Sequence, residues 1–253
     1  MLLKIFIKKI ILAFLFFFAV FNFQSCKESD KGTADCSTSF KVNSSINTKI
    51  SLLNEKLASA TEKEKSKIYS DISLLYSVKG DFKSSLENAE MSIKSDPENS
   101  DAHYCKGKSC FNLRQYNKSI HELEEAIRLG LNTSDVHFEL GSNYYKKKNY
   151  RKASIEYKMS LEKDPENIEA INNYAVIMSK LGKNREAEKY LLQSIKTNPD
   201  FILSYKNLGI LYDRKIKNSK KAVFYYKEYF NRISVGSEKR IVYSWIKNLG
   251  GNI

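Results

Sequence analysis

Three prolines, at 97, 165 and 199, are spaced by 68 and 34 residues, twice and once the same unit. With only 3 Pro and 10 Gly in 253 residues, chain breakers are scarce, and breakers that recur on a fixed spacing force the intervening segments to fold alike. The 34-residue unit lays out five blocks: 66–99, 100–133, 134–167, 168–201 and 202–236. The eighth position of each block is small (Ser73, Gly107, Gly141, Ala175, Gly209), and so is the twentieth: Ser85, Ser119, Ala153, Ala187 and, after a one-residue insertion, Ala222. The twenty-seventh carries Ser92, Ala126, Ser160 and Ser194, with Tyr229 the exception. Small side chains at fixed offsets allow two helices to approach closely. Large apolar residues flank them, Tyr76, Tyr144, Met178 and Tyr212 at position eleven and Ile93, Ile127, Leu161, Ile195 and Phe230 at position twenty-eight. Gly80-Asp81 and Gly182-Lys183 fall where a turn joins two helices, and Asp96-Pro97, Asp164-Pro165 and Asn198-Pro199 end the second helix, because a residue before Pro is pushed out of the helical region. Leu131 replaces Pro in the second block, where Gly130 is expected to stop the helix. Each block therefore predicts helix, turn, helix, and the chain an all-α array of stacked units.

The third block has the fullest pattern, His137-x-x-Leu140-Gly141-x-x-Tyr144, then Ala153-x-x-x-Tyr157, then Pro165. It resembles the tetratricopeptide repeat (TPR), a 34-residue helix-turn-helix with Trp where His137 stands. His103, Tyr69, Ile171 and Tyr205 depart from that Trp in the other blocks. The resemblance implies a TPR helix-turn-helix solenoid, a right-handed superhelix. Solenoids need end caps. Residues 46–65, with Ile46, Ile50, Leu53 and Leu57 on one face, are read as the N-terminal capping helix. Residues 237–253, with Ile241, Trp245 and Leu249 in a stripe and Val242 and Ile246 beside it, are read as the C-terminal one. Trp245, the single Trp, is expected to pack.

TPR domains bind peptides or proteins along a concave face lined by the first helices, at positions two, five, nine, twelve and thirteen. Carried over, the resemblance implies a groove holding Tyr104, Lys108 and Phe111, then Phe138, Tyr145 and Lys146. Asn172, Lys180, Lys206 and Arg214 continue it, with Asp101, Asp135 and Glu169 around them. An aromatic strip with a charged rim offers large contact area at low side-chain entropy cost. The other reading is that these aromatics pack between neighbouring first helices. The carboxylate clamp of chaperone-binding members is not met: Ser70 and Leu74, and Asp135 and Glu139, occupy its basic and amide positions.

Residues 1–25 differ in kind. Lys4, Lys8 and Lys9 precede an unbroken apolar run from Ile10 to Phe21, the length of a signal-peptide core and short of a membrane span. Phe23-Gln24-Ser25-Cys26 follows and resembles the lipobox of bacterial lipoproteins on Ser25 and Cys26, while Phe23 and Gln24 depart from it. The resemblance implies cleavage before Cys26, lipidation of that cysteine and stable anchoring by two or more acyl chains. An ordinary signal peptide is the alternative. Residues 26–45 read as the lipidated cysteine and a polar tether; its 19 residues after Cys26 give an r.m.s. reach of ~25 Å.

No Gly-rich phosphate loop, G-x-S-x-G or H-E-x-x-H occurs, and three His leave little for acid–base or metal chemistry. No enzyme, cofactor, metal or small-molecule substrate is expected. Cys105 and Cys110 project about 140° apart on one helix and do not bridge; Cys36 on the tether has the reach for either, but small buried thiols are the expected state. The net charge is +13, yet Lys outnumbers Arg 35 to 7, which argues against nucleic acid and leaves anionic lipid as the nearest partner for the charge. The sequence thus predicts a lipid-anchored, non-enzymatic scaffold of the bacterial cell envelope, on the outer-membrane or periplasmic side, binding a protein or peptide. A surface-exposed lipoprotein binding a host or matrix ligand is the alternative. Pilotin-type TPR lipoproteins and the five-repeat lipoprotein of outer-membrane β-barrel assembly are loose analogues.

Overall fold

The structure, a computed structural model, describes residues 33–252, with side chains from Val42 onward. Residues 1–25 and Cys26 lie outside the described residues. Twelve α-helices and no strand occur among the described residues. They are α1 (Thr33–Leu57), α2 (Glu62–Lys79), α3 (Phe82–Ser95), α4 (Ser100–Asn112), α5 (Tyr116–Arg128), α6 (Ser134–Lys146), α7 (Tyr150–Lys163), α8 (Ile168–Lys180), α9 (Asn184–Thr197), α10 (Ile202–Leu211), α11 (Ser219–Arg232) and α12 (Ser237–Asn248). The pairs α2–α3, α4–α5, α6–α7, α8–α9 and α10–α11 are hairpins on the 34-residue period, except that α2 starts at Glu62, four residues ahead of its block and inside the stretch 46–65 read as the capping helix, because Thr61 and Glu64 form a capping box there. The coordinates fall into two compact units, one ending at Leu131 and one starting at Asn132.

The breakers act as the sequence predicts. Asp96, Asp164 and Asn198, each before a Pro, leave the helical region with φ of −149°, −141° and −142°. Gly130 takes φ +98° just past the end of α5. The turn inside each hairpin shows a regularity that the glycines alone conceal. Gly80 and Gly182 are left-handed, and so are Arg114, Lys148 and Lys217, at φ +61°, +59° and +61°. These five positions recur every 34 residues until the last, which is one residue late. The extra residue of the fifth block is taken up immediately before it, in a π-helical turn at Tyr212–Ile216, where the wider winding absorbs one residue without shifting the helices on either side. Side-chain caps hold most starts: Thr61 forms a capping box with Glu64, and Asp81, Asn99, Thr133, Asn149, Asn167 and Asn218 each accept a backbone N–H.

In the first unit, α1 begins at Thr33, inside the stretch 26–45 that reads as a tether. No Gly or Pro stands between Thr33 and Gly80, so nothing stops a helix nucleated downstream from running back through those residues. Its anchor is Ile46 and Ile50, which pack on Ile72 of α2, with Val42, Leu53, Ile68, Leu75 and Tyr76 around them. The buried serines of the small columns also bond across the hairpins. Ser73 Oγ donates to the Ser85 carbonyl (2.7 Å), Ser92 Oγ to that of Ser66 (2.6 Å) and Ser119 Oγ to that of Gly107 (2.7 Å). Small size lets the helices approach, and a hydroxyl that reaches the facing carbonyl satisfies itself in the dry contact. His103, at the position of the family's Trp, is 9% exposed and ties its hairpin together: Nδ1 lies 2.8 Å from Glu122 Oε2 and Nε2 3.1 Å from the Pro97 carbonyl.

The second unit repeats the scheme. His137 Nδ1 lies 2.8 Å from Glu156 Oε2, the same nineteen-residue separation as in the first unit. Gly141 faces the ring of Tyr157, and Gly209 that of Tyr226. Both tyrosines are almost wholly buried. Four phenols donate to carboxylates: Tyr174 to Glu186, Tyr212 to Glu188, Tyr226 to Asp213 and Tyr229 to Glu238. The end is closed by α12, but its buried residues are Val242 and Ile246, whereas Ile241 is 49% exposed. The apolar stripe is therefore turned about one residue from the 241/245/249 reading. Trp245 packs on Tyr226, ring centroids 5.2 Å apart.

Two predictions follow from these contacts. A Cβ on Gly209 would lie 2.3 Å from the Tyr226 ring and one on Gly141 2.8 Å from the Tyr157 ring. Gly209→Ala and Gly141→Ala should each cost about 1–3 kcal/mol in denaturant unfolding. Gly236→Ala, with nothing within 4 Å of the added atom, should stay within about 0.5 kcal/mol of wild type. Burial pushes the Tyr157 phenol from 10.0 up to about 12, and burial with the neighbouring Glu186 pushes Tyr174 to about 12. Burial and adjoining carboxylates also raise Tyr212, Tyr226 and Tyr229. The folded chain then holds these protons more tightly than the unfolded chain. Stability should be whole below about pH 10 and fall as pH climbs toward about 12. Denaturant midpoints across that window should drop steeply, and Tyr157→Phe should remove up to about 2.7 kcal/mol of the pH-dependent loss.

Candidate functional site

The first helix of each hairpin is the more buried of the two, and its groove positions define one face of it. In the first unit that face on α4 carries three residues the sequence singles out. Tyr104 and Phe111 are half-buried, and Phe111 rests on Tyr116 with ring centroids 5.8 Å apart. Lys108 is only 8% exposed, its ammonium 5.4 Å above the Tyr104 ring centroid. Its stem covers the ring and its charge is held by the π face. Behind them, Cys105 and Cys110 are buried free thiols, and burial pushes the Cys105 thiol up to about 12. Neither has the thiolate character of a reactive cysteine at neutral pH.

In the second unit the corresponding faces are on α6, α8 and α10. Phe138 is half-buried against Tyr157, centroids 5.7 Å apart, and Tyr145 is half-buried with its ring 6.0 Å from Tyr150. Tyr157 also shares a 3.1 Å hydroxyl contact with Ser142, so this strip is braced from behind by the second helix of its own hairpin. Lys146 and Lys180 are exposed at the ends of α6 and α8, and Arg214 is exposed in the π-helical turn that follows α10.

Two of the predicted residues are committed to structure. Asn172 is 4% exposed and accepts a 2.9 Å hydrogen bond from Asn207, joining α8 to α10. Lys206 makes a 2.6 Å ion pair with Glu238 of α12 and lies over the Tyr229 ring. Glu238 is held below the usual carboxylate range by the hydrogen bonds from Lys206 and Tyr229. Lys206 thus fastens the terminal helix.

The structure adds residues that the sequence reading passed over. Leu203 is 43% exposed at position two of the fifth block, and Val176 and Ile210 are half-buried at position nine of the fourth and fifth. They stand at positions two and nine, both among the five groove offsets, where the other blocks carry Asp101, Asp135, Glu169 and Lys108. With them the face of α8 and α10 is an aliphatic strip edged by Lys180 and Arg214. Among the described residues no group of three or more His, Cys, Asp or Glu is placed to hold a metal ion, and no helix is long and apolar enough to cross a membrane.

Comparison with known proteins agrees with the fold. Residues 156–189 match a tetratricopeptide repeat family model. That stretch begins in α7, spans α8 and ends in α9, so it straddles the third and fourth blocks. No curated protein matches the chain in sequence. Among solved structures, PilW, a type IV pilus biogenesis factor, superposes with TM-score 0.66 at 21% identity over 73% of this chain and 86% of its own. PilF of Pseudomonas aeruginosa gives 0.63 at 16% identity over 76% and 91%. YrrB, a TPR protein with an unusual peptide-binding site, gives 0.63 at 17% identity over 78% and 97%. At these identities the likeness shows the fold, an all-α array of TPR-type hairpins.

Proposed function

We propose that the protein is a non-enzymatic scaffold that binds a protein or peptide on the exposed faces of its first helices. The observation that carries the reading is the composition of those faces. Leu203, Val176 and Ile210 beside Lys180 and Arg214 form an apolar strip with a charged margin, as does the Phe138–Tyr145 face beside Lys146. Side chains of that kind, left accessible by a fold whose stability comes from elsewhere, are what a protein partner needs for contact area and register. YrrB, which shares the fold, has a peptide-binding site. We further propose that the chain is exported and anchored through acylated Cys26 in the bacterial cell envelope, with type IV pilus assembly as one setting suggested by the likeness to PilW. The support for anchoring is the apolar run Ile10–Phe21 with Ser25-Cys26 directly after it.

Pull-down from solubilised envelopes with Leu203→Asp tests the binding face. Capture of the partner should fall at least about tenfold while the unfolding midpoint stays near wild type. Leu192→Asp, 41% exposed on the second helix α9, should capture normally. Equal capture by both variants refutes the face. The anchor is tested separately by metabolic palmitate labelling, where incorporation should vanish in Cys26→Ser; label that persists in that variant, or no label in wild type, removes the anchor.

A further inference from the structure

Within the second unit, the turns that join first to second helices all leave from the C-terminal ends of α6, α8 and α10, so the three turns form one row along one edge. Their charge is one-sided. Residues 146–152 hold five Lys or Arg, 180–186 three and 213–221 five, thirteen cations against Glu186 and Asp213 in the same stretches; Lys183 pairs with Glu186 at 3.9 Å and Lys221 with Glu188 of α9 at 3.6 Å. All thirteen are exposed. The opposite edge, where second helices lead into first ones, has no such excess: residues 162–169 carry four acids and one Lys, and 196–203 one of each. The unit is therefore polarised from edge to edge.

The backbone adds a second, independent observation. Lys148 and Lys217 sit in this row at φ +59° and +61°, a left-handed conformation that favours glycine and is disfavoured for any residue with a Cβ. Gly182 occupies the equivalent turn of the fourth block with no such conflict. Cations are thus kept at two of the three turns against the preference of the backbone, and a strained position points to a use.

We infer that this edge is a docking surface for an anionic lipid bilayer. Ten of the thirteen cations are lysine, compact point charges without the planar fork that reads individual phosphates, and suited to a diffuse sheet of negative charge. A row of three successive turns presents charge to a plane, and it has no apolar centre of the size a protein interface requires. Its exposed aliphatic residue, Ile216 on the π-helical turn, is 37% exposed between Lys215 and Lys217, a side chain that a headgroup layer accepts between two basic neighbours. Docking on this edge would fix which way the first-helix faces of the unit point relative to the membrane. The inference does not depend on those faces binding a partner, nor on acylation of Cys26.

The test is vesicle co-sedimentation of the full chain, comparing phosphatidylcholine vesicles with and without about 30 mol% phosphatidylglycerol. The N-terminal apolar run contributes equally to both, so the ratio of the two partition coefficients isolates the charge effect. The ratio should exceed about tenfold at about 0.1 M salt and collapse toward one at about 1 M, where the Debye length shrinks to about 3 Å. The edge variant Lys148→Glu, Lys183→Glu, Lys215→Glu, Lys220→Glu avoids every residue placed on the binding faces and should lower the ratio at least about tenfold. A control variant of equal net charge, Lys158→Glu, Lys163→Glu, Lys189→Glu, Lys196→Glu, with its substitutions on the second helices α7 and α9, should keep most of it. Circular dichroism and melting confirm that both variants fold. Equal loss in both variants, or no loss in the edge variant, overturns the proposal. So does edge-dependent binding of polyglutamate or duplex DNA while the vesicle ratio stays near one.

Discussion

The close contact between the two helices of each hairpin is the constraint on which everything else rests. At position eight the first helix must offer almost no side chain, because a residue of the second helix lies flat on its backbone: Leu123 on Gly107, Tyr157 on Gly141, Tyr226 on Gly209. Where the first helix has Gly the second has Leu or Tyr; the fourth hairpin sets Leu191 at the position facing Ala175, and the first has small residues, Ser73 and Ala89, at both positions. With the seam holding the hairpin, the groove positions of the first helices divide: Lys108, Asn172 and Lys206 are tied into the fold, whereas Lys180, Leu203 and Arg214 stay exposed.

The polar chemistry inside follows the same logic. Helices this close leave no room for water, so every hydroxyl in the seam needs a partner within reach. Ser73, Ser92 and Ser119 find it in the facing backbone, and His103 and His137 find a glutamate on the facing helix. A histidine in place of a large indole replaces apolar bulk with a directed bond, and the recurrence of the pair at nineteen residues' separation in two hairpins shows that it is one solution used twice.

Much of this was legible in the chain. Proline spacing and the small columns give the hairpins, their order and their ends, because a residue before Pro and a close helix contact impose hard steric limits that no tertiary context relaxes. What was not legible lies where sterics are permissive. The start of α1 is set by the absence of a stop signal, and polar residues alone do not mark a helix or a tether. The stripe of α12 differs by one residue because neighbouring apolar pairs such as Ile241-Val242 and Trp245-Ile246 define two adjacent faces, and only packing on α11 selects between them. On the binding faces, repeat position pointed to Asn172 and Lys206, but their commitments to Asn207 and Glu238 join helices far apart in sequence and leave no local trace.

The π-helical turn at Tyr212–Ile216 has a wider consequence. A chain assembled from copies accumulates slips in length, and a slip within a hairpin seam would carry glycine out from under its tyrosine. Here the slip is confined to the bend, downstream of Gly209 and upstream of Ala222, so both sides of the seam keep their register. Such a bend acts as an expansion joint, a place where a residue is added while the seam on either side stands undisturbed.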